Sequence, residues 1–228
     1  HHEPPTFFGV ERNPIENKIL PSTWWEGGVA ASGDLGQGFG YDVAVHSGLA
    51  VDPTTFTIRG GRQKVAEATA KDGAVTGRLK YSQPGVKLAG TAQFQQDITQ
   101  GNNNTSTDNA PAVLLEANAD LRHGGFGLRA LAALWDIDST QAEALGRDEQ
   151  YGFYVEPSFR FEVGEESEAG IFARFNQYDM NAGNSTNTMV RQYDFGANFW
   201  PHPDVVFKAD VSFVDNPSGT ADLSLIHI

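Results

Sequence analysis

The chain of 228 residues contains no cysteine and only two methionines. Without cysteine there is no disulfide scaffold and no thiolate-ligated metal site. Basic residues are scarce beside acidic ones, 16 Lys and Arg against 29 Asp and Glu, for a net charge of −13. That balance argues against nucleic acid as a partner, which asks for a basic face. No apolar run reaches the ~18 residues of a membrane-spanning helix, and no basic stretch followed by an apolar one marks a secretory leader. The histidines, His46, His123 and His202 among them, are scattered without metal-ligand spacing. No Ser/His/Asp set or phosphate-cradling glycine motif stands out. These readings predict no catalytic centre, no metal and no cofactor.

What is abundant is glycine, at 25, and phenylalanine, at 15. Together they suit a β protein with many turns. Period-2 alternation runs from about residue 25 to residue 214 and predicts about ten strands, near 25–33, 39–47, 73–81, 85–95, 112–122, 126–135, 151–163, 169–178, 191–200 and 204–214. In one, Val86, Leu88, Ala92 and Phe94 oppose Lys87, Thr91, Gln93 and Gln95. In another, Leu115, Ala117, Ala119 and Leu121 oppose Glu116, Asn118, Asp120 and Arg122. In the strand from Phe126 the polar face is weaker, since Arg129 shares it with Leu131 and Ala133.

Connections alternate in length. Short ones at 34–38, 82–84, 123–125, 164–168 and 201–203 alternate with long ones at 48–72, 96–111, 136–150 and 179–190. Every strand pair is then a hairpin and every long loop lies at one end, the up-and-down pattern of outer-membrane barrels. Aromatics fall at both ends of the apolar face: Phe39, Tyr41, Tyr151 and Phe153 begin strands, and Tyr81, Phe94, Phe161, Phe199 and Phe213 end them. Such belts fit the two membrane–water interfaces, where an amphipathic ring has one wet side; ordinary core aromatics are the alternative. Trp24, Trp25, Trp135 and Trp200 also sit at strand tips. The polar face carries Arg78, Lys80, Lys87, Arg129, Arg160, Arg174 and Lys208, with Glu116, Asp120, Glu156 and Asp210. Burying these dry would cost several kcal/mol per ion, so that face is expected to meet water and the apolar face lipid. The fold class expected is all-β, an up-and-down antiparallel transmembrane β-barrel, incomplete in this chain. A ligand-binding β-sheet protein at the cell surface, taking for instance a glycan and having no channel, is the other reading.

The stretch Asn198-Phe-Trp-Pro-His-Pro-Asp-Val-Val-Phe-Lys-Ala-Asp210 resembles a late hairpin of the phosphate-selective porin O and P family of Gram-negative outer-membrane porins. His2-Glu-Pro-Pro-Thr-Phe-Phe-Gly-Val-Glu-Arg12 and Ile19-Leu-Pro-Ser-Thr-Trp-Trp-Glu-Gly-Gly28 resemble its early loop and following strand. The resemblance implies a barrel of about 16 strands, of which residues 1–222 would be an internal part, with 1–23 as a loop segment. It also implies passive diffusion of small hydrophilic solutes, anions or phosphate among them, and a homotrimer in the outer membrane. Residues 223–228 break the alternation and read either as a non-native tail or as an irregular terminal strand.

In a channel, selectivity lies in bore width and in the charge at the constriction. Loop 48–72 is the constriction candidate. It carries Arg59, Arg62 and Lys64, and 61–71 reads as a short helix. A loop standing outside the barrel is the alternative. Cations lining the bore would favour anions; pairing with the acids of the same face would cancel that preference.

Overall fold

The structure, a computed structural model, describes residues 6–101 and 109–217, together with the backbone of 222–227. Residues 2–5 of the early motif, 102–108 of the second long loop, and Ile228 lie outside it. Eleven strands follow one another in a single sheet: β1 (Gly28–Gly36), β2 (Phe39–His46), β3 (Ala74–Gln83), β4 (Val86–Gln95), β5 (Ala112–His123), β6 (Phe126–Ile137), β7 (Glu149–Glu162), β8 (Glu168–Asp179), β9 (Val190–His202), β10 (Val205–Asp215) and β11 (Asp222–His227). Each pairs antiparallel with the next, in sequence order throughout. The fold is thus an all-β, up-and-down antiparallel sheet. Among the described residues no ladder joins β1 to β11, so the sheet is open. Most of the terminal stretch expected to break the pattern pairs with β10, with Leu225 opposite Val211. No described helix is long and apolar enough to cross a membrane, which says nothing of strands.

The tight connections have their sequence reasons. Between β1 and β2, Gly36, Gln37 and Gly38 all adopt positive φ, a conformation that glycine takes without steric cost. The long connections all lie at the opposite end and are built on each other. Gln95, fully buried, exchanges amide hydrogen bonds with the Leu49 backbone at 2.9 and 2.8 Å. Gln100 donates to the carbonyls of Ser47 and Asp72. The third long loop holds a short helix, α1 (Thr140–Ala144), capped by Ser139.

The two faces differ as the alternation requires. The outward face is apolar and uncovered: Phe94, Leu115 and Phe207 are 45%, 51% and 59% exposed. Its aromatics form two belts. Phe39, Tyr41, Tyr81, Phe161 and Phe199 lie toward the short turns, and Phe94, Tyr151, Phe153, Tyr193 and Phe213 toward the long loops. Between them, paired positions are small, as in the row Gly90, Ala117, Ala132. The inner face is polar, with charges of opposite sign in register: Asp120, Arg129 and Glu156 across β5–β7, and Arg174 and Asp194 across β8–β9. Opposite charges placed so are mutually stabilising.

Part of the inner face is covered. Ile15 and Ile19, four residues apart in a one-turn π-helix (Ile15–Ile19), are fully buried against a cluster that includes Leu114, Leu131, Ala133, Trp135 and Tyr154. Leu131 and Ala133 interrupt the polar face of β6 because this apolar turn lies on them. Burying the two isoleucines contributes about 1.5–3 kcal/mol each, an upper figure given a compact unfolded chain.

Candidate functional site

Residues 6–27 run across the inner face before entering β1, and side chains of the wall hold their backbone. Asn198 Nδ2 donates to the Phe8 carbonyl at 2.9 Å, Lys208 Nζ to those of Phe7 and Gly9, and the Val10 N–H donates to Asp210 Oδ2 at 2.7 Å. Further along, the Trp135 indole donates to the Ile19 carbonyl at 3.0 Å, Tyr154 donates to Glu16 at 3.1 Å, and Lys18 donates to the Tyr178 hydroxyl at 2.6 Å. Pairing backbone groups with wall side chains is what permits an irregular segment to lie there, since unpaired buried N–H and C=O groups are costly.

This changes the part played by loop 48–72. The element laid along the inner face is the 6–27 segment, and the loop packs against it from the long-loop end. Leu49, Val51, Phe56 and Ile58 are fully buried in the same cluster as Ile15 and Ile19. Arg59 donates to the Asn17 carbonyl at 3.0 Å, and Arg62 to the Ser22 carbonyl at 2.5 Å and to Thr23 Oγ1 at 3.0 Å. Burial, with Arg59 and Arg12 beside it, draws the Arg62 guanidinium below the usual arginine value; it stays cationic. Both arginines therefore clamp the segment, while Lys64 is exposed on the loop. The helix expected at 61–71 is reduced to 3₁₀ turns at Ile58–Gly61 and Val65–Glu67, neither with a side-chain cap. Without a cap the first N–H groups of a helix lack a side-chain acceptor, which weakens its start.

Three cavities border the segment among the described residues; one, of about 390 Å³, lies at Trp24, Glu26, His46 and Gln93, and the other two are more charged. The first of these two, of about 410 Å³, is lined by Arg78, Lys80, Lys87 and Arg129, with Glu16, Asp120 and Tyr154 among the other walls. Its walls come from five successive strands, so the sheet is concave here. The second, of about 440 Å³, lies at the short-turn end and includes Arg122, Arg129 and Arg160. Asp120 and Arg129 belong to both. Lys80 is paired with Asp42 at 2.7 Å, Arg122 with Asp120 at 2.9 Å, and Arg160 with Glu168. Arg129 reaches only 4.0 Å from Asp120. Among the described residues Arg78 and Lys87 have no ion pair within 4.0 Å. Cationic character is thus left over at Arg78 and Lys87 in the first cavity, while Arg129, which lines both, is paired only at long range with Asp120.

Five of the seven cations expected to line the inner face therefore border cavities. The other two, Arg174 and Lys208, project to that face but lie beneath the segment. Arg174, 7% exposed, bonds Glu156 at 3.0 Å and Asp194 at 2.8 Å, while Asn176 also donates to Asp194. Lys208 is spent on the Phe7 and Gly9 carbonyls, with its ammonium 3.6 Å from the Phe7 ring centroid. Neither lines any of these cavities. The strand-tip tryptophans also need correction. Trp135 and Trp200 point inward and are buried, Trp135 beneath Ile19 and Trp200 beneath Phe8 and the Arg160 guanidinium. Of the site residues that sequence reasoning missed, Asn198 and Asp210 were visible as inner-face polar positions, but their backbone partners lie about 200 residues earlier.

No family model matches the chain. A protein of Aquifex aeolicus (strain VF5), described as an uncharacterized protein, is 24% identical over 235 residues, covering 92% of this chain and 53% of the relative. The chain spans about half the length of this curated relative, whose description names no activity.

Proposed function

We propose that this chain forms part of the wall, and the internal obstruction, of an outer-membrane porin similar to the phosphate-selective porin O and P family. In this reading it is a passive diffusion channel for small hydrophilic solutes, homotrimeric when complete, with anions favoured at Arg129. The observation that carries the reading is the contrast between the faces. The apolar face of ten strands, with an aromatic belt at each end, is bare of protein, whereas the charged face borders two cavities and an internal segment. A bilayer outside and water inside satisfy both faces. Arg129, lining both cavities with its nearest carboxylate 4.0 Å away, lowers the barrier for an anion at the point where the segment narrows the passage.

Fractionation and electrophysiology test this. The complete protein should need detergent for extraction and should conduct in a planar bilayer under a KCl gradient with a reversal potential on the anion side. Extraction without detergent would defeat the channel reading and favour a surface binding protein.

A further inference from the structure

The cavity at the short-turn end has more aromatic lining than its neighbour, which is bordered by Tyr81 and Tyr154. Phe7 and Phe8 of the inner segment and Trp200 of β9 border it, with Arg122, Arg129 and Arg160 and one carboxylate, Asp120, which is held by Arg122 at 2.9 Å. The Phe8 and Trp200 rings meet edge to face at 5.6 Å, and the Arg160 guanidinium lies 4.0 Å above the Trp200 ring, so this wall is a fixed stack. The glycines Gly124, Gly125 and Gly127 also border the space. Two of them are crowded, since a Cβ at Gly125 would come within 2.4 Å of the Arg160 carbonyl and one at Gly127 within 2.6 Å of Ser158 Oγ. Arg160 is held by Glu168 through Nη2 while its buried Nε–H has no partner, and Arg129 makes only its long contact with Asp120. The volume of about 440 Å³ is within the range of small-molecule sites.

Resting on the channel reading above, we infer that this cavity is a binding subsite for small aromatic carboxylates, whose anionic head meets the Arg129 and Arg160 guanidinium groups while the ring lies along Phe7 and Phe8, which Trp200 backs from beneath. A guanidinium fork matches the two oxygens of a carboxylate, and a flat ring gains apolar burial on an aromatic wall that a spherical inorganic anion cannot use. The neighbouring cavity, walled by Arg78, Lys80 and Lys87 with less aromatic surface, offers charge without that wall.

Benzoate is the probe. Saturation transfer to its ring protons is measured with the complete protein in detergent, with acetate and inorganic phosphate as competitors. Benzoate is expected to bind saturably, and acetate to compete at least tenfold more weakly. Arg129→Gln and Phe8→Ala should each weaken benzoate tenfold or more while retaining the β-sheet circular dichroism of the parent. Absent saturation, equal competition by acetate, or benzoate binding unchanged in whichever of the two variants folds would overturn the inference. KCl conductance without benzoate separates the two readings. A protein that conducts but ignores benzoate loses only the subsite, and one that binds benzoate but never conducts loses only the channel.

Discussion

The ammonium of Lys208 donates to the carbonyls of Phe7, at 2.6 Å, and Gly9, at 3.0 Å, fastening the internal segment to β10. Lys208→Met keeps much of the side-chain volume and removes both bonds. Charged hydrogen bonds contribute about 1.5–3 kcal/mol each, so the beginning of the segment should loosen. Hydrogen exchange at the amides of residues 7–10 should accelerate, and single-channel conductance should rise. Unchanged exchange would mean that Asn198 and Asp210 suffice.

Gly152 makes room for the buried turn. A Cβ there would lie 2.8 Å from Ile15 Cδ1 and 3.0 Å from Tyr178 Cβ. Gly152→Val should displace Ile15 and Ile19 and destabilise the packed segment by about 1–3 kcal/mol, as overpacking generally does. Limited proteolysis within residues 6–27 reads the displacement.

Arg129 and Arg174 share a face but should separate in their effects. Arg129→Ala should move the reversal potential toward cations with little loss of stability. Arg174→Ala should leave Glu156 and Asp194 buried without their cation, costing about 3–5 kcal/mol, and should affect selectivity only where the protein misfolds. A denaturant titration paired with reversal potentials for both variants checks the split.

The outward face gives a fourth expectation. Leu115 is 51% exposed on the outward face, in the row of Leu134 and Tyr151. If lipid covers it, Leu115→Arg should cost about 1 kcal/mol or more on refolding into bilayers, rising to about 2–4 kcal/mol the deeper it lies. If water covers it, the change should be nearly neutral.

Strand placement was legible because a two-residue period and glycine-rich turns are local signals. β4 was expected at 85–95 and spans Val86–Gln95; β10 was expected at 204–214 and spans Val205–Asp215. The inner segment was not legible, because the bonds that place it join residues such as Asn198 and Phe8, which no local pattern relates. Its one trace was the pair Leu131 and Ala133, apolar on a polar face, which mark where Ile15 and Ile19 lie. The tryptophans were misread from their place at strand tips. Parity was the better signal, since Trp135 alternates in phase with Arg129 and Trp200 with Asn198, both inner-face residues. The helix expected in loop 48–72 rested on composition alone, and the loop instead follows the shape of the cluster it covers.

The contact between Val10 and Asp210 spans 200 positions, which sets an order on assembly. Closing so long a loop is entropically slow compared with zipping adjacent hairpins. The wall should therefore form by successive local pairings while the 6–27 segment is still loose, and that segment should dock only when β9 and β10 have arrived. The cover of the inner face is then the last part of the structure to be set, by a contact that no local hairpin can form early.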